Sequence, residues 1–97
     1  MVMMMVMVIE FTATWCGPCR AMEPILREYA DKFTDVEFVK LDVDEFPGEA
    51  MQFSVQEMPS FVFLKGVEVV DKLVGARKDE LQKKIENHRN CDYNVCF

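Results

Sequence analysis

The sequence predicts a single α/β domain in which helices pack against a four-stranded mixed β-sheet. A chain of 97 residues is long enough to build one hydrophobic core. Its hydrophobic fraction of 51% and its charged fraction of 29% are typical of globular proteins. Apolar runs of strand length alternate with segments of helical periodicity in the order β-α-β-α-β-β-α, which is the pattern of a sheet covered by helices.

The chain opens with a strand and a long helix. Residues 2–11 form a continuous apolar run that ends in Glu10-Phe11, as expected for a strand buried on both faces. A helix is predicted over 18–33, because apolar side chains recur there on one helical face. These side chains are Met22, Leu26, Tyr29 and Phe33. Pro24 lies inside this helix and predicts a kink, since proline has no N–H to donate.

Five further elements complete the predicted domain. They are a strand over 36–43, a short helix over 47–53, strands over 61–64 and 67–74, and a helix over 78–88. The helical crossover makes the first two strands parallel, whereas the short connection Lys65-Gly66 makes the last two an antiparallel hairpin. The domain is expected to span residues 1–89, and the short polar tail 90–97 is expected to be disordered.

Charge and hydropathy exclude several classes of protein. The net charge is −6 and acidic residues are spread along the chain, so no basic stripe is available to bind nucleic acid. The apolar run 1–9 lacks a basic segment before it and a cleavage site after it, which argues against a signal peptide. It is also shorter than the roughly 20 residues that cross a bilayer. We therefore expect a cytoplasmic protein with no membrane partner.

Cys16 and Cys19 carry the chemistry that the sequence predicts. Cys16 falls where the first strand ends and the first helix begins, and helix N-termini stabilise a thiolate over a thiol. Cys19 follows one helical turn later, within reach of Cys16. We expect Cys16 to attack a substrate disulfide and Cys19 to attack Cys16 in turn, which releases the reduced substrate and leaves a Cys16–Cys19 disulfide.

Two other interpretations of the Cys16–Cys19 pair are a metal site and a purely structural pair. The structural pair is disfavoured, because Trp15 and the Gly17-Pro18 insert have no role in packing that other residues could not fill. A C-x-x-C pair is half of a structural zinc site, which needs four ligands. The remaining candidates, His88, Cys91 and Cys96, crowd into the end of the chain, so no metal is expected. Cys91 and Cys96 are left with three interpretations: a second redox pair, an intermolecular link, or no role.

Four segments in order resemble the thioredoxin family, and most closely the cytosolic h-type of plants. The segments are 11–20 (Phe-Thr-Ala-Thr-Trp-Cys-Gly-Pro-Cys-Arg), 39–44, 58–61 and 73–76. The likeness covers roughly residues 6 to 88 and implies the thioredoxin-like three-layer fold. It also implies a protein-disulfide reductase that is recharged by an NADPH-dependent thioredoxin reductase. Such a protein serves electron transport and cell redox homeostasis on disulfide-containing targets, and needs no cofactor of its own.

The resemblance also assigns substrate-binding residues. Pro59 matches the family's cis-proline, and the backbone of Met58 before it pairs with the substrate chain. The surface that surrounds the cysteines is here called the groove. It comprises Trp15, Gly17, Pro18, Met58, Pro59, Gly75 and Ala76. A proline at position 18 resembles the reducing members of the family, whereas disulfide-forming relatives usually carry histidine there.

Glu10 matches a buried aspartate that relays a proton to the second cysteine in the family. A carboxyl in an apolar strand has a raised pKa and can accept a proton near neutrality. The alternative is that Lys40, its expected neighbour on the second strand, holds Glu10 in a structural ion pair. Both roles for Glu10 are retained at this point.

The chain departs from the family at its front, where full-length thioredoxins have a further strand and helix. The resemblance therefore implies the minimal β-α-β-α-β-β-α core, with the strand over 36–43 as an exposed edge. Exposed edges pair with other chains, so lower stability or a homodimer through residues 36–43 is expected. The competing functional reading is a catalytically weak module that docks partners through Trp15 and Met58-Pro59. A third is a poorly folded product without function.

Overall fold

Strand β1 (Val6–Thr12) runs through the middle of a four-stranded sheet of order β2-β1-β3-β4. The computed structural model describes residues 5–89. The other elements in chain order are α1 (Gly17–Lys32), β2 (Val36–Asp42), α2 (Pro47–Gln52), β3 (Ser60–Lys65), β4 (Glu68–Val74) and α3 (Lys78–His88). β1 is parallel to β2 and antiparallel to β3, and β3 and β4 form the antiparallel hairpin. The predicted α/β fold with its mixed sheet is confirmed.

The two faces of β1 enter two different cores. Val6 and Val8 pack with residues of α1 and α3, and the largest apolar cluster of the molecule forms on that face. Ile9 and Phe11 alternate with them and pack on the opposite face, against Ala50 of α2. This two-sided burial is why the segment is apolar throughout rather than alternating.

Helix α1 begins at the cysteine pair and runs on through Pro24. Met22 and Tyr29 are buried against the sheet. At the far end of the helix, the Tyr29 hydroxyl donates a hydrogen bond of 3.0 Å to the backbone oxygen of Lys78 in α3. The end of α1 that is remote from the cysteines is therefore fixed to a second helix. The kink at Pro24 stays a prediction.

The hairpin and α3 close the first core. Gly66 occupies the turn between β3 and β4 with φ of 63°, in the left-handed region that glycine adopts without strain. Leu81 and Ile85, one turn apart on α3, are fully buried beneath the sheet. No helix within residues 5–89 is long and apolar enough to cross a membrane.

Strand β2 is one edge of the sheet over the described residues. Val43 donates its backbone N–H to Thr12 at 2.9 Å. Backbone groups alternate in direction along a strand, so those of Phe38 and Lys40 point away from β1. The tail 90–97, with Cys91 and Cys96, lies outside the described residues, as do the first four residues of the chain.

Candidate functional site

Cys16 and Cys19 form a disulfide at the junction of β1 and α1. Their Cα atoms are 5.3 Å apart, and the two side chains are 5% and 2% exposed. Trp15, Gly17 and Pro18 around them are exposed. The disulfide is thus reached through a small opening framed by the three residues that accompany it in the sequence.

Cys16 is the N-cap residue of α1. Its backbone is extended (φ −91°, ψ 107°), and its Sγ accepts a hydrogen bond of 3.2 Å from the backbone N–H of Cys19. A side-chain acceptor at this position satisfies one of the free amides at the start of a helix. When the disulfide is reduced, a negative sulfur at the same place meets both that amide and the positive end of the helix dipole. The geometry therefore favours the reactive thiolate of Cys16.

The loop before β3 lies directly against the cysteines. The Met58–Pro59 peptide bond is cis, and Cys16 Sγ lies 3.6 Å from the Met58 carbonyl oxygen. This is a contact rather than a hydrogen bond, because a disulfide sulfur has no proton to donate. Gly75, with φ of 102°, donates its N–H to the Pro59 oxygen at 2.8 Å. That bond fixes the turn after β4 beside the proline loop.

Trp15 is held by a partner that sequence reasoning missed. Its indole Nε1 donates to Asp44 Oδ2 at 3.1 Å, and the Asp44 N–H donates to Asp42 Oδ1 at 2.8 Å. The ring is nevertheless 64% exposed, so it is not a core residue. An exposed aromatic ring with a fixed orientation is suited to contact a substrate chain. The two residues are 29 positions apart in the chain, so no local spacing pattern could identify Asp44 as the partner.

Glu10 is the buried carboxyl of the site. It is 3% exposed on the same face of β1 as Val6 and Val8, and neither carboxyl oxygen has a hydrogen-bond partner in the described part of the protein. Burial raises the pKa of Glu10 to about 7. The charge of Lys40 lowers this pKa and the charge of Glu23 raises it, each by less than burial does. The alternative role of Glu10, a structural ion pair with Lys40, is not formed within residues 5–89.

Lys40 turns instead to a residue of α1. It lies opposite Glu10 in the β1–β2 ladder, but its Nζ is 3.5 Å from Glu23 Oε1. Glu10, Glu23 and Lys40 line one pocket of about 200 Å³ between α1 and β2, together with apolar side chains. Glu23 and Lys40 also line a second pocket of about 450 Å³, together with Thr14 and Arg20, which are close to the cysteines in the chain.

The structure thus brings most of the predicted site residues into one region. Cys16, Cys19 and Met58 share one small cluster, and Gly75 joins it through Pro59. Ala76 follows Gly75 and is exposed. Within residues 5–89, no three His, Cys, Asp or Glu side chains are grouped to hold a metal ion.

Comparisons with known proteins agree with this geometry. The family model described as Thioredoxin matches residues 2–87. Thioredoxin H2 of Arabidopsis thaliana is 52% identical over 83 residues, which cover 86% of this chain and 62% of that protein. The H-type thioredoxin of Ricinus communis is 52% identical over 81 residues, covering 84% and 69%. This chain therefore spans between three fifths and seven tenths of the length of these relatives.

Solved structures give the same result. The crystal structure of thioredoxin NaTrxh from Nicotiana alata superposes with a TM-score of 0.87 at 52% identity, covering 89% of this chain and 75% of that one. The Fasciola hepatica thioredoxin superposes with a TM-score of 0.86 at 40% identity, covering 88% and 82%. The cysteine pair caps α1 beside a cis-proline loop, and the family model and these identities agree with that geometry. The chain therefore belongs to the thioredoxin family.

Proposed function

We propose that this protein reduces disulfides of other proteins by dithiol–disulfide exchange through Cys16 and Cys19. The observation that carries the proposal is the position of Cys16, whose sulfur caps α1 and accepts the Cys19 amide at 3.2 Å. A module that only docks partners and exchanges no disulfide would need neither a sulfur at the helix N-cap nor the second cysteine one turn away. The exchange reaction is therefore favoured over docking alone.

The reaction starts from the reduced pair. The Cys16 thiolate attacks one sulfur of the substrate disulfide, and the other substrate sulfur leaves as a thiolate that takes up a proton. Cys19 loses its proton and attacks Cys16, so the mixed disulfide breaks and the second substrate thiolate leaves. Two electrons pass from the protein to the substrate, and the Cys16–Cys19 disulfide seen here is the product.

Glu10 is proposed as the group that takes the proton from Cys19. With a pKa near 7, its carboxyl exchanges a proton readily at neutral pH. Glu10 lines a pocket with Glu23, which lies four residues after Cys19 and hence on the same face of α1. Within residues 5–89 its oxygens have no hydrogen-bond partner, so they are available to a proton donor.

The groove is proposed to bind the substrate chain. Trp15 supplies a fixed aromatic surface, and the Met58–Pro59 loop presents backbone groups next to Cys16. Gly75 bonds to the Pro59 oxygen of this loop, and Ala76 follows Gly75 in the chain and is exposed. Extended chains bind well to such backbone groups, because main-chain hydrogen bonds provide affinity without demanding one side chain.

The proposed setting is a cytoplasmic electron-transport chain. An NADPH-dependent thioredoxin reductase would return the Cys16–Cys19 disulfide to the dithiol, and disulfide-containing proteins would receive the electrons.

A coupled assay tests the proposal. NADPH consumption is measured with this chain, a thioredoxin reductase and insulin as the protein disulfide. Cys16→Ser is expected to abolish turnover, and Cys19→Ser is expected to accumulate a covalent mixed disulfide on Cys16 that reducing agent releases. A cooperatively melting wild-type chain that consumes no NADPH, and a Cys19→Ser variant that traps nothing, would restore the docking alternative.

We further propose a homodimer through the outer edge of β2. The backbone groups of Phe38 and Lys40 point away from β1, and no described strand covers them. Val39 and Leu41, which pack on the second core, are only partly buried. Edge strands of this kind pair with a second copy of the same chain.

A further inference from the structure

The Glu10 carboxyl and the Lys40 ammonium are neighbours that do not pair. The two residues stand opposite each other in the parallel ladder of β1 and β2. A buried carboxyl without a hydrogen bond would gain from a nearby ammonium, since an unpaired buried charge is costly. Glu10 nevertheless has no partner for either oxygen within the described residues.

Glu23 accounts for the separation. Its Oε1 lies 3.5 Å from Lys40 Nζ, so the ammonium pairs with an acid of α1. Its Oε2 lies 3.9 Å from Arg27, one turn further along the helix. Glu23 thus lies between two cations. The Lys40–Glu23 pair lines both the pocket of Glu10 and the second pocket, which Arg20 and Thr14 also line.

We propose that Glu23 is a positioning residue of the dithiol site: it engages Lys40, keeps the ammonium from the Glu10 carboxyl, and so leaves that carboxyl free to exchange its proton. The inference rests on the proposed function, because the freed carboxyl matters only if Glu10 serves the cysteines. In this role Glu23 acts through Lys40 rather than on the reacting sulfur atoms.

Among residues 5–89, the charged groups that line the pocket of Glu10 come from two elements. Helix α1 contributes Glu23 and Arg27, and β2 contributes Lys40. On its other side, Glu10 stands opposite Phe61 of β3, which cannot titrate. Lys40 lowers the pKa of Glu10 and Glu23 raises it, both less than burial does. Removing Glu23 should therefore act twice, by deleting a negative charge and by releasing Lys40 towards Glu10.

The test measures the protonation of Glu10 directly. The oxidised protein, labelled with ¹³C at the glutamate carboxyls, is titrated by NMR, and the Glu10 signal is assigned by its loss in Glu10→Gln. Glu23→Gln is expected to lower the pKa of Glu10 by about one pH unit or more, as an approaching ammonium does. Lys40→Met is expected to raise it.

The double variant Glu23→Gln/Lys40→Met separates positioning from simple charge. If Glu23 acts by holding Lys40, the Glu23→Gln effect shrinks to less than half when Lys40 is already absent. An equal effect in both backgrounds would overturn the proposal, as would a Glu23→Gln variant in which Glu10 titrates unchanged. Glu28→Gln is the matched control, since it removes the same charge from an exposed position of α1 outside the pocket.

The outcome is independent of turnover. The titration uses the oxidised protein without reductase or substrate, so an inactive protein still gives a clear answer on Glu23. Conversely, a normal NADPH assay with an unshifted Glu10 would leave the reductase activity standing and remove only the role of Glu23.

Discussion

Glu10 makes folding depend on pH in an unusual direction. Burial raises its pKa from 4.5 to about 7, so the folded protein holds a proton there that the unfolded chain has already lost. Stability from this group is fully present below pH 4.5 and is lost as the pH rises through 7. A difference of this size corresponds to roughly 3 kcal/mol of unfolding free energy.

The replacement Glu10→Gln removes this dependence. Between about pH 5 and pH 8, we expect the variant to gain roughly 2–3 kcal/mol relative to the wild type, because its side chain never ionises. Urea unfolding followed at both pH values measures the change. Glu37→Gln, an exposed position on β2, is the control and should show no such trend. Parallel curves for Glu10→Gln and wild type would contradict the assignment.

Asp44 should govern the orientation of Trp15. The Asp44→Ala variant loses the 3.1 Å bond to the indole, worth about 1 kcal/mol for an exposed pair. We expect KM for a protein disulfide to rise by about threefold to fivefold, with a smaller effect on kcat, because binding must now fix the ring. Trp15 is the only tryptophan in the chain, so faster decay of its fluorescence anisotropy reports the freed ring.

A conservative variant separates contact from charge at this position. Asp44→Asn retains a carbonyl oxygen that can accept from the indole, and should restore most of the anisotropy and KM. If Asp44→Ala leaves both quantities unchanged, Trp15 is oriented by other contacts and Asp44 has no part in the groove.

At the scale of single residues, the sequence predicted which residues are reactive or buried better than it predicted which side chains bond to each other. The position of Cys16 before a helix followed from hydrophobic periodicity, as did the burial of Glu10 in an apolar run. The bond between Trp15 and Asp44 could not be predicted, because it joins two loops that meet only in the folded sheet. The ion pair between Lys40 and Glu23 was also missed. The sequence predicts that Lys40 is the neighbour of Glu10 in the ladder, but not that its ammonium pairs with Glu23 rather than with Glu10.

Asp71 joins β4 to α3 and should stabilise that contact. Its carboxyl accepts from Lys84 Nζ at 2.9 Å and from the Lys72 amide at 2.8 Å, and its other oxygen lies 2.9 Å from His88 Nε2. Partial burial raises the pKa of Asp71, but these hydrogen bonds lower it by more, so the pKa lies below its usual range. Lys84 and His88 lie one turn apart on the same helical face.

Replacing Asp71 with asparagine should destabilise the protein by about 1 kcal/mol near neutral pH, a modest value because the pair is partly solvated. The contribution of a carboxyl with a lowered pKa is present above its unfolded value and is lost as the pH falls through the folded one. The two unfolding curves should therefore converge in acid. Asp31→Asn, exposed on α1, is the control. A constant difference at every pH would indicate lost packing instead.

The elements were predictable because burial dictates their pattern. The predicted bounds of α3 agree with the observed ones, and those of β2 differ by one residue. Helix α1 begins at Gly17 rather than at position 18, because the Cys16 sulfur caps the helix one residue earlier. The cis peptide before Pro59 followed from the family resemblance alone, since the sequence around an X–Pro bond does not reveal its isomer.

The whole molecule is expected to associate through β2. Light scattering coupled to size exclusion should give a mass that falls from dimer to monomer on dilution, and the melting temperature should fall with it. Pairing two edges adds backbone hydrogen bonds and covers Val39 and Leu41, so dilution removes both contributions. A monomer with one melting temperature across a hundredfold dilution would rule out this association.

Pro24 and Tyr29 divide α1 into a first part that carries the cysteines and a second part that is bonded to α3. Proline has no N–H, so the Arg20 carbonyl receives no bond from position 24 and the ladder of the helix is interrupted there. Beyond it, the Tyr29 hydroxyl fastens the helix to Lys78. The turn that carries Cys16 and Cys19 is therefore joined to the anchored part of α1 through an interrupted hydrogen-bond ladder. If the pair exchanges disulfides as proposed, we expect the sulfurs to move within this first turn of α1, without a change in the sheet or in either core.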